Sequence, residues 1–225
     1  MFNFDWSSIP GALPFLWQGM LTTLQITFVA VLIGILVGTL LAVLRLSSRP
    51  VLSLLATAYV TVFRSVPLVM VLFWFHLILI PLATGFLFPG RRLELRLVTA
   101  LTAFSLFEAS YYGEIIRAGI SSVSKGQWHA GLALGMSGSQ AMRLVILPQA
   151  FRRMIPLLLT QAIVLFQDTT LVYVISLDDF FRKAYNIGNR DGTLNELILF
   201  AGAIYLVVCT FASSCARQIQ RKLAV

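Results

Sequence analysis

Three ionisable residues, Arg64, Glu108 and Asp168, stand inside stretches that are otherwise strongly apolar. At bilayer depth a charged side chain costs about 2.5–3.5 kcal/mol on insertion scales, so each is a functional candidate. Arg64 lies just before Pro67, and a proline-bent helix frees backbone carbonyls that are tolerated where they line a cavity. A guanidinium grips a carboxylate through two parallel hydrogen bonds. Asp168 is flanked by Gln167, Thr169 and Thr170, a polar patch suited to an ammonium group. Together these types suit recognition of a small polar solute with both charges. They equally suit an Arg64–Asp168 ion pair that locks two helices. Glu108 precedes Tyr111 and Tyr112, whose hydroxyls can satisfy it, so helix packing and path lining both remain open. Gln161 and Thr169 are placed on the same path.

Other chemistry is missing from the sequence. It contains no GxxxxGK[ST] phosphate loop, so the chain is not expected to hydrolyse ATP. The only histidines are His76 and His129, and no Cys/His cluster has metal-ligand spacing, so neither metal nor cofactor is expected. His76 reads as a packed, hydrogen-bonded histidine rather than a proton relay. Cys209 and Cys215 fall on different faces of one helix, which makes a disulfide between them unlikely on geometry. The first twenty residues lack a basic n-region and contain Pro10 and Pro14, unlike a cleaved signal peptide.

The elements that must carry these residues follow from composition. Of 225 residues 58% are hydrophobic and 12% charged, with a mean hydropathy of +0.87. Soluble domains carry about 25% charged residues, and a chain this size would still need a polar skin. A soluble enzyme, a disordered chain and a secreted disulfide scaffold are excluded, and the chain is expected to be an all-α polytopic membrane protein. Helices of about 20 apolar residues span a bilayer. Five spans are expected, at about 18–45, 54–80, 97–117, 154–177 and 196–216, in a single transmembrane domain over residues 1–225. The second is expected to be one long helix kinked at Pro67.

The net charge of +8 then reads as topology. Ten basic residues fall in the regions after the first, third and fifth spans, with Glu114 the only acid near them. The opposite side holds six basic residues, including Arg91 and Arg92, and six acids, including Glu94. The N-terminus is therefore expected outside and the C-terminus in the cytoplasm, and no nucleic-acid partner is needed to explain the charge. Glu114 and Arg117, three apart, suit a surface pair. The outer segment 176–196, mixing Asp178, Asp179, Arg182 and Lys183, reads either as a solvated loop or as a receiver for a binding protein.

The cytoplasmic segment at about 119–152 is too long for a simple turn. Its pattern is a helical run at 127–134, Gly135 where a left-handed cap belongs, then a second run at 140–147. Ser137 and Ser139 can cap that second run, and Pro148 is expected to stop it. Trp128, Leu132, Leu134 and Met136 offer apolar anchors, suited either to docking in a partner's groove or to lying on the bilayer.

Lys125-Gly126-Gln127, His129-Ala130-Gly131, Gly135 and Val145-Ile146-Leu147-Pro148 resemble the EAA loop of ABC importer permeases. Gln149-Ala150, the run Glu114-Ile115-Ile116-Arg117-Ala118-Gly119, Phe63-Arg64-Ser65-Val66-Pro67 and Gln167-Asp168-Thr169-Thr170-Leu171 resemble the polar amino-acid branch, nearest its glutamate/aspartate importers. The resemblance implies the type I permease fold and import of acidic amino acids by alternating access across a bacterial inner membrane. It also implies a cytoplasmic ATPase dimer, a second permease subunit, whether a homologue or a copy, and an extracytoplasmic solute-binding protein. The loop would be the coupling helix, with Lys125, Gly126, Gln127, His129, Ala130, Gly131, Gly135, Leu147 and Pro148 at the ATPase. The family's loop glutamate is His129 here, and its second alanine is Gly131. An ion-coupled carrier or channel without an ATPase is the alternative.

Overall fold

The structure, a computed structural model, describes residues 5–87 and 95–223. Arg91, Arg92 and Glu94 lie outside the described residues. The described residues fold into helices joined by short connections, with no strand among them. We number them α1 (Ser8–Arg45), α2 (Pro50–Ser65), α3 (Leu68–Leu87), α4 (Leu95–Ser121), α5 (Lys125–Ala133), α6 (Gly138–Ile175), α7 (Phe180–Asp191) and α8 (Leu194–Leu223). Helices α1, α3, α6 and α8 are long and apolar enough to cross a membrane. The span expected at 97–117 is helical throughout α4, but Arg96, Glu108, Glu114 and Arg117 lower its apolarity.

α1 and α4 form the central seam. The buried face of α1 includes Ile26, Ala30, Gly34, Gly38 and Ala42, one residue every fourth position. At Gly38 the helices touch through their backbones: a Cβ there would sit 2.7 Å from the Gly113 amide nitrogen and 3.0 Å from the Ala109 carbonyl. At Gly34 it would meet the Tyr112 ring at 2.8 Å. In lipid no hydrophobic drive presses helices together, so close packing across small residues supplies the association. Ile26, Ala30, Leu72, Phe104, Leu165 and Val172 join this seam to α3 and α6 in one core. A second core gathers Leu16, Phe166, Phe180, Ala184 and Leu197.

Two expectations about prolines are corrected. The segment 54–80 is not one kinked helix. Val66 (φ −109°, ψ 134°) and Pro67 (ψ 137°) are extended, so α2 ends and α3 starts afresh, running on to Leu87. The proline ring disfavours helical geometry in the residue before it, which makes this a break. Pro148, in contrast, stops nothing. A wide π turn over Met142–Ile146 precedes it, and the helix continues through Pro148 to Asp168. The same device appears before Pro81, where Phe75–Leu79 form a π turn. A proline lacks the N–H for the ladder and clashes with the carbonyl four residues back. A widened turn accommodates both problems without ending the helix.

Candidate functional site

The break at Val66-Pro67 opens a cavity of about 480 Å³ whose walls include Arg64, Ser65, Pro67, Phe107, Tyr111, Gln161 and Asp168. Arg64 projects from the last turn of α2, where a cation is favoured by the helix dipole. Its guanidinium lies 5.3 Å from the Tyr111 ring centroid, a cation–π contact that orients it without consuming its donors. No ion pair joins Arg64 to Asp168 among the described residues, although both face the same space. The cavity thus offers a donor-rich cation and a carboxylate that do not neutralise each other. A comparable groove of about 380 Å³ between α6 and α8, lined by Leu24, Ile163, Phe211 and Cys215 among others, is almost wholly apolar and offers nothing to a charged solute.

The other expected path residues sit differently. Glu108 is fully buried behind the cavity wall. Its partner is not a tyrosine: the Gln161 amide nitrogen donates to both carboxylate oxygens, at 3.1 and 3.3 Å. The Tyr112 hydroxyl is buried and has no partner among the described residues. Thr169 is buried, donates to the Phe166 carbonyl at 2.7 Å, and does not line the cavity. His76 is packed, with Nδ1 3.4 Å from the Thr99 hydroxyl. Glu114 pairs with Arg117 at 2.5 Å and also with Arg45, which the sequence reading missed because the partner comes from another helix. That triad ties the C-terminal ends of α1 and α4.

The loop at 119–152 is stabilised locally. Ser124 caps α5 by accepting from the Gly126 amide at 3.1 Å. Gly135 adopts φ +81°, its N–H reaching the Leu132 carbonyl while Met136 reaches Gly131, a full Schellman closure. Ser137 and Gln140 then form a reciprocal capping box that starts α6. Gly131 is buried against Ala141, where a Cβ would sit 3.2 Å from the alanine methyl. The outward residues are Lys125, Gly126, Gln127, His129 and Ala130, together with Leu132 and Leu134, the last 80% exposed. Leu147 is half-buried and Pro148 exposed just after the π turn of α6, and the next residue, Gln149, donates its amide to the Gln127 side chain at 3.3 Å.

A family model described as the binding-protein-dependent transport system inner membrane component matches residues 30–225. The chain is also 58% identical, across 100% of both sequences, to the glutamate/aspartate import permease protein GltK of Escherichia coli O157:H7. It belongs to the family of binding-protein-dependent inner membrane transport components. Identity to the arginine transport system permease protein ArtQ of Bacillus subtilis is 34% over 98% of each chain. A chain from the crystal structure of an amino acid ABC transporter with histidines superposes with a TM-score of 0.87 at 31% identity, covering 98% of this chain and 100% of its own. The fold is that of an ABC importer permease, a multi-pass membrane transport component.

In this permease the segment 176–196 is not a solvated loop. Asp179 caps α7 by accepting from the Phe181 and Arg182 amides, and Phe180, Ala184 and Ile187 pack inward. The Phe180 amide donates to the Thr23 hydroxyl of α1 at 3.2 Å. Burial pushes the Asp179 carboxyl from its ordinary 3.8 up to about 7, outweighing the cap bonds that favour its charged form. Asp178, by contrast, faces out and pairs with Arg182 and Lys183.

Proposed function

We propose that this permease is the membrane-crossing subunit of an ATP-driven importer of acidic amino acids, with the Arg64–Asp168 cavity as its solute site. The observation that carries the reading is a guanidinium and a carboxylate sharing one polar cavity without pairing. Arg64 takes the solute's α-carboxylate and Asp168 its ammonium group. Full-length identity of 58% to a glutamate/aspartate import permease supports glutamate and aspartate as solutes. The solute's second carboxylate meets no further cation in this wall of the cavity. Arg64 is exposed on this chain, and a charge at that depth must face water or protein rather than lipid. A second permease subunit, a homologue or another copy, closes the cavity from that side and supplies the remaining contact.

The same reading places five spans in a bacterial cytoplasmic membrane, N-terminus outside and C-terminus inside, with residues 1–225 as one domain. A solute-binding protein delivers the amino acid to the outer face. Two cytoplasmic ATPase subunits hydrolyse ATP and grip α5 by Leu132, Leu134 and the polar face from Lys125 to His129. Because His129 replaces a glutamate, the fixed negative charge at that contact is absent and the apolar anchors carry more of it. Closure of the ATPase dimer moves α5, and alternating access follows from the two arrangements of the subunits. The test is uptake by proteoliposomes holding the complete complex. Glutamate uptake should require ATP and collapse when Arg64 or Asp168 becomes alanine. Recovery of the chain without any ATPase, with uptake that follows a proton gradient and ignores ATP, would overturn the reading.

A further inference from the structure

We infer that Glu108 is a positioning residue for solute recognition: it holds the Gln161 side chain so that the amide carbonyl oxygen, near Asp168, is presented to the solute's ammonium group. This rests on the reading of the cavity as the solute site. Glu108 is fully buried, is absent from the cavity wall, and is wedged so tightly against α1 that a Cβ on Gly34 would fall 3.2 Å from its own. It therefore acts through a neighbour. A glutamine amide has one donor end and one acceptor end. The Gln161 nitrogen is committed to both Glu108 oxygens, at 3.1 and 3.3 Å, and the opposite flip would set carbonyl against carboxylate. Gln161 itself lines the cavity, so the group it has left to offer is the carbonyl oxygen.

A packing role alone does not explain the choice of residue. A carboxylate buried at this depth carries a desolvation penalty that a neutral side chain of similar size avoids. What the carboxyl adds is a pair of acceptor oxygens for the Gln161 nitrogen, which gives the amide a single orientation. The cavity then has a donor end at Arg64 and an acceptor end built from Asp168 and Gln161.

The experiment is equilibrium binding of labelled glutamate to the detergent-purified complex of permease subunits and ATPase, with glutarate, which lacks the amino group, as competitor. A hydrogen bond to a charged group is worth roughly tenfold or more in affinity. Glu108→Gln, which lets the Gln161 amide adopt either flip, should cut the preference for glutamate over glutarate by about that factor, leaving glutarate binding unchanged. Gln161→Ala should do the same, and the double variant should lose no more than either single one. Should Glu108→Gln fail to assemble, Gln161→Ala, at a residue on the cavity wall, decides alone. An unchanged preference in these variants overturns the inference, provided Arg64→Ala still weakens both ligands together. If Arg64→Ala and Asp168→Ala leave glutamate binding untouched, the solute site lies elsewhere and the underlying reading falls with it.

Discussion

The loop around α5 and the intramembrane cavity solve the problem of orphan polar groups in opposite ways. In the loop, each turn is closed by near neighbours: Ser124 to Gly126, Met136 to Gly131, Ser137 to Gln140. What remains exposed there sets two apolar anchors, Leu132 and Leu134, beside the polar Lys125, Gln127 and His129. In the cavity, Arg64, Gln161 and Asp168 arrive from helices far apart in the chain, and what remains exposed is charged. The loop is a self-contained rigid piece that presents an adhesive surface. The cavity is an assembled site whose charges are left for a ligand. One region suits a permanent partner and the other a passing solute.

The sharpest way to break this contrast is at Arg64. Truncating one side of a desolvated charge pair typically costs about 2–5 kcal/mol. Arg64→Ala should therefore lower glutamate uptake by about two orders of magnitude while the ATPase still copurifies. Loss of the ATPase instead would make Arg64 an assembly residue. The complementary change is Leu134→Asp, which removes an apolar anchor worth roughly 1.5–3 kcal/mol when buried. Copurified ATPase should fall about tenfold, while glutamate binding to the remaining membrane subunits is unchanged.

A smaller effect is expected at Gly135. A residue with a Cβ in the left-handed region costs roughly 1–2 kcal/mol, so Gly135→Ala should loosen the Schellman turn. Substrate-stimulated ATP hydrolysis should drop a few-fold, with basal hydrolysis and solute binding retained. If Gly135→Ala impaired binding as much as coupling, the two regions would not be independent.

Asp179 combines features of both regions, being a local helix cap that is also buried. Its folded-state value, about 7, exceeds the unfolded 3.8, so folding favours the protonated form. That contribution is complete below about pH 4 and is lost as pH rises through about 7. The melting temperature of the purified complex should fall by a few degrees across that window. Asp179→Asn should flatten the dependence, and a slope that survives the substitution would assign it to another group.

The same division explains how much of the molecule was legible in the sequence. Gly135 and Ser137 act on residues a few positions away, so the left-handed cap and the second helix start were readable from residue type and spacing. The helical runs of the membrane segments were readable from hydropathy. The Glu108–Gln161 and Arg45–Glu114 contacts were not, because each joins two helices whose mutual rotation no local pattern encodes. Tyr112, adjacent in spacing to Glu108, was the obvious partner by sequence and is turned toward Gly34 instead. The two prolines were misread for a related reason. Whether a proline ends, breaks or passes through a helix depends on the backbone before it, and residue type alone did not distinguish the extended Val66 ahead of Pro67 from the π turn ahead of Pro148.

The central claim is that the solute binds between Arg64 and Asp168, and the most direct test is a cryo-electron microscopy structure of the assembled complex with saturating glutamate. The account predicts ligand density in this cavity, its carboxylate within hydrogen-bond distance of the Arg64 guanidinium and its amino group facing Asp168 and the Gln161 carbonyl. Ligand bound elsewhere in the membrane region, with Arg64 and Asp168 paired to each other across an empty cavity, would contradict it.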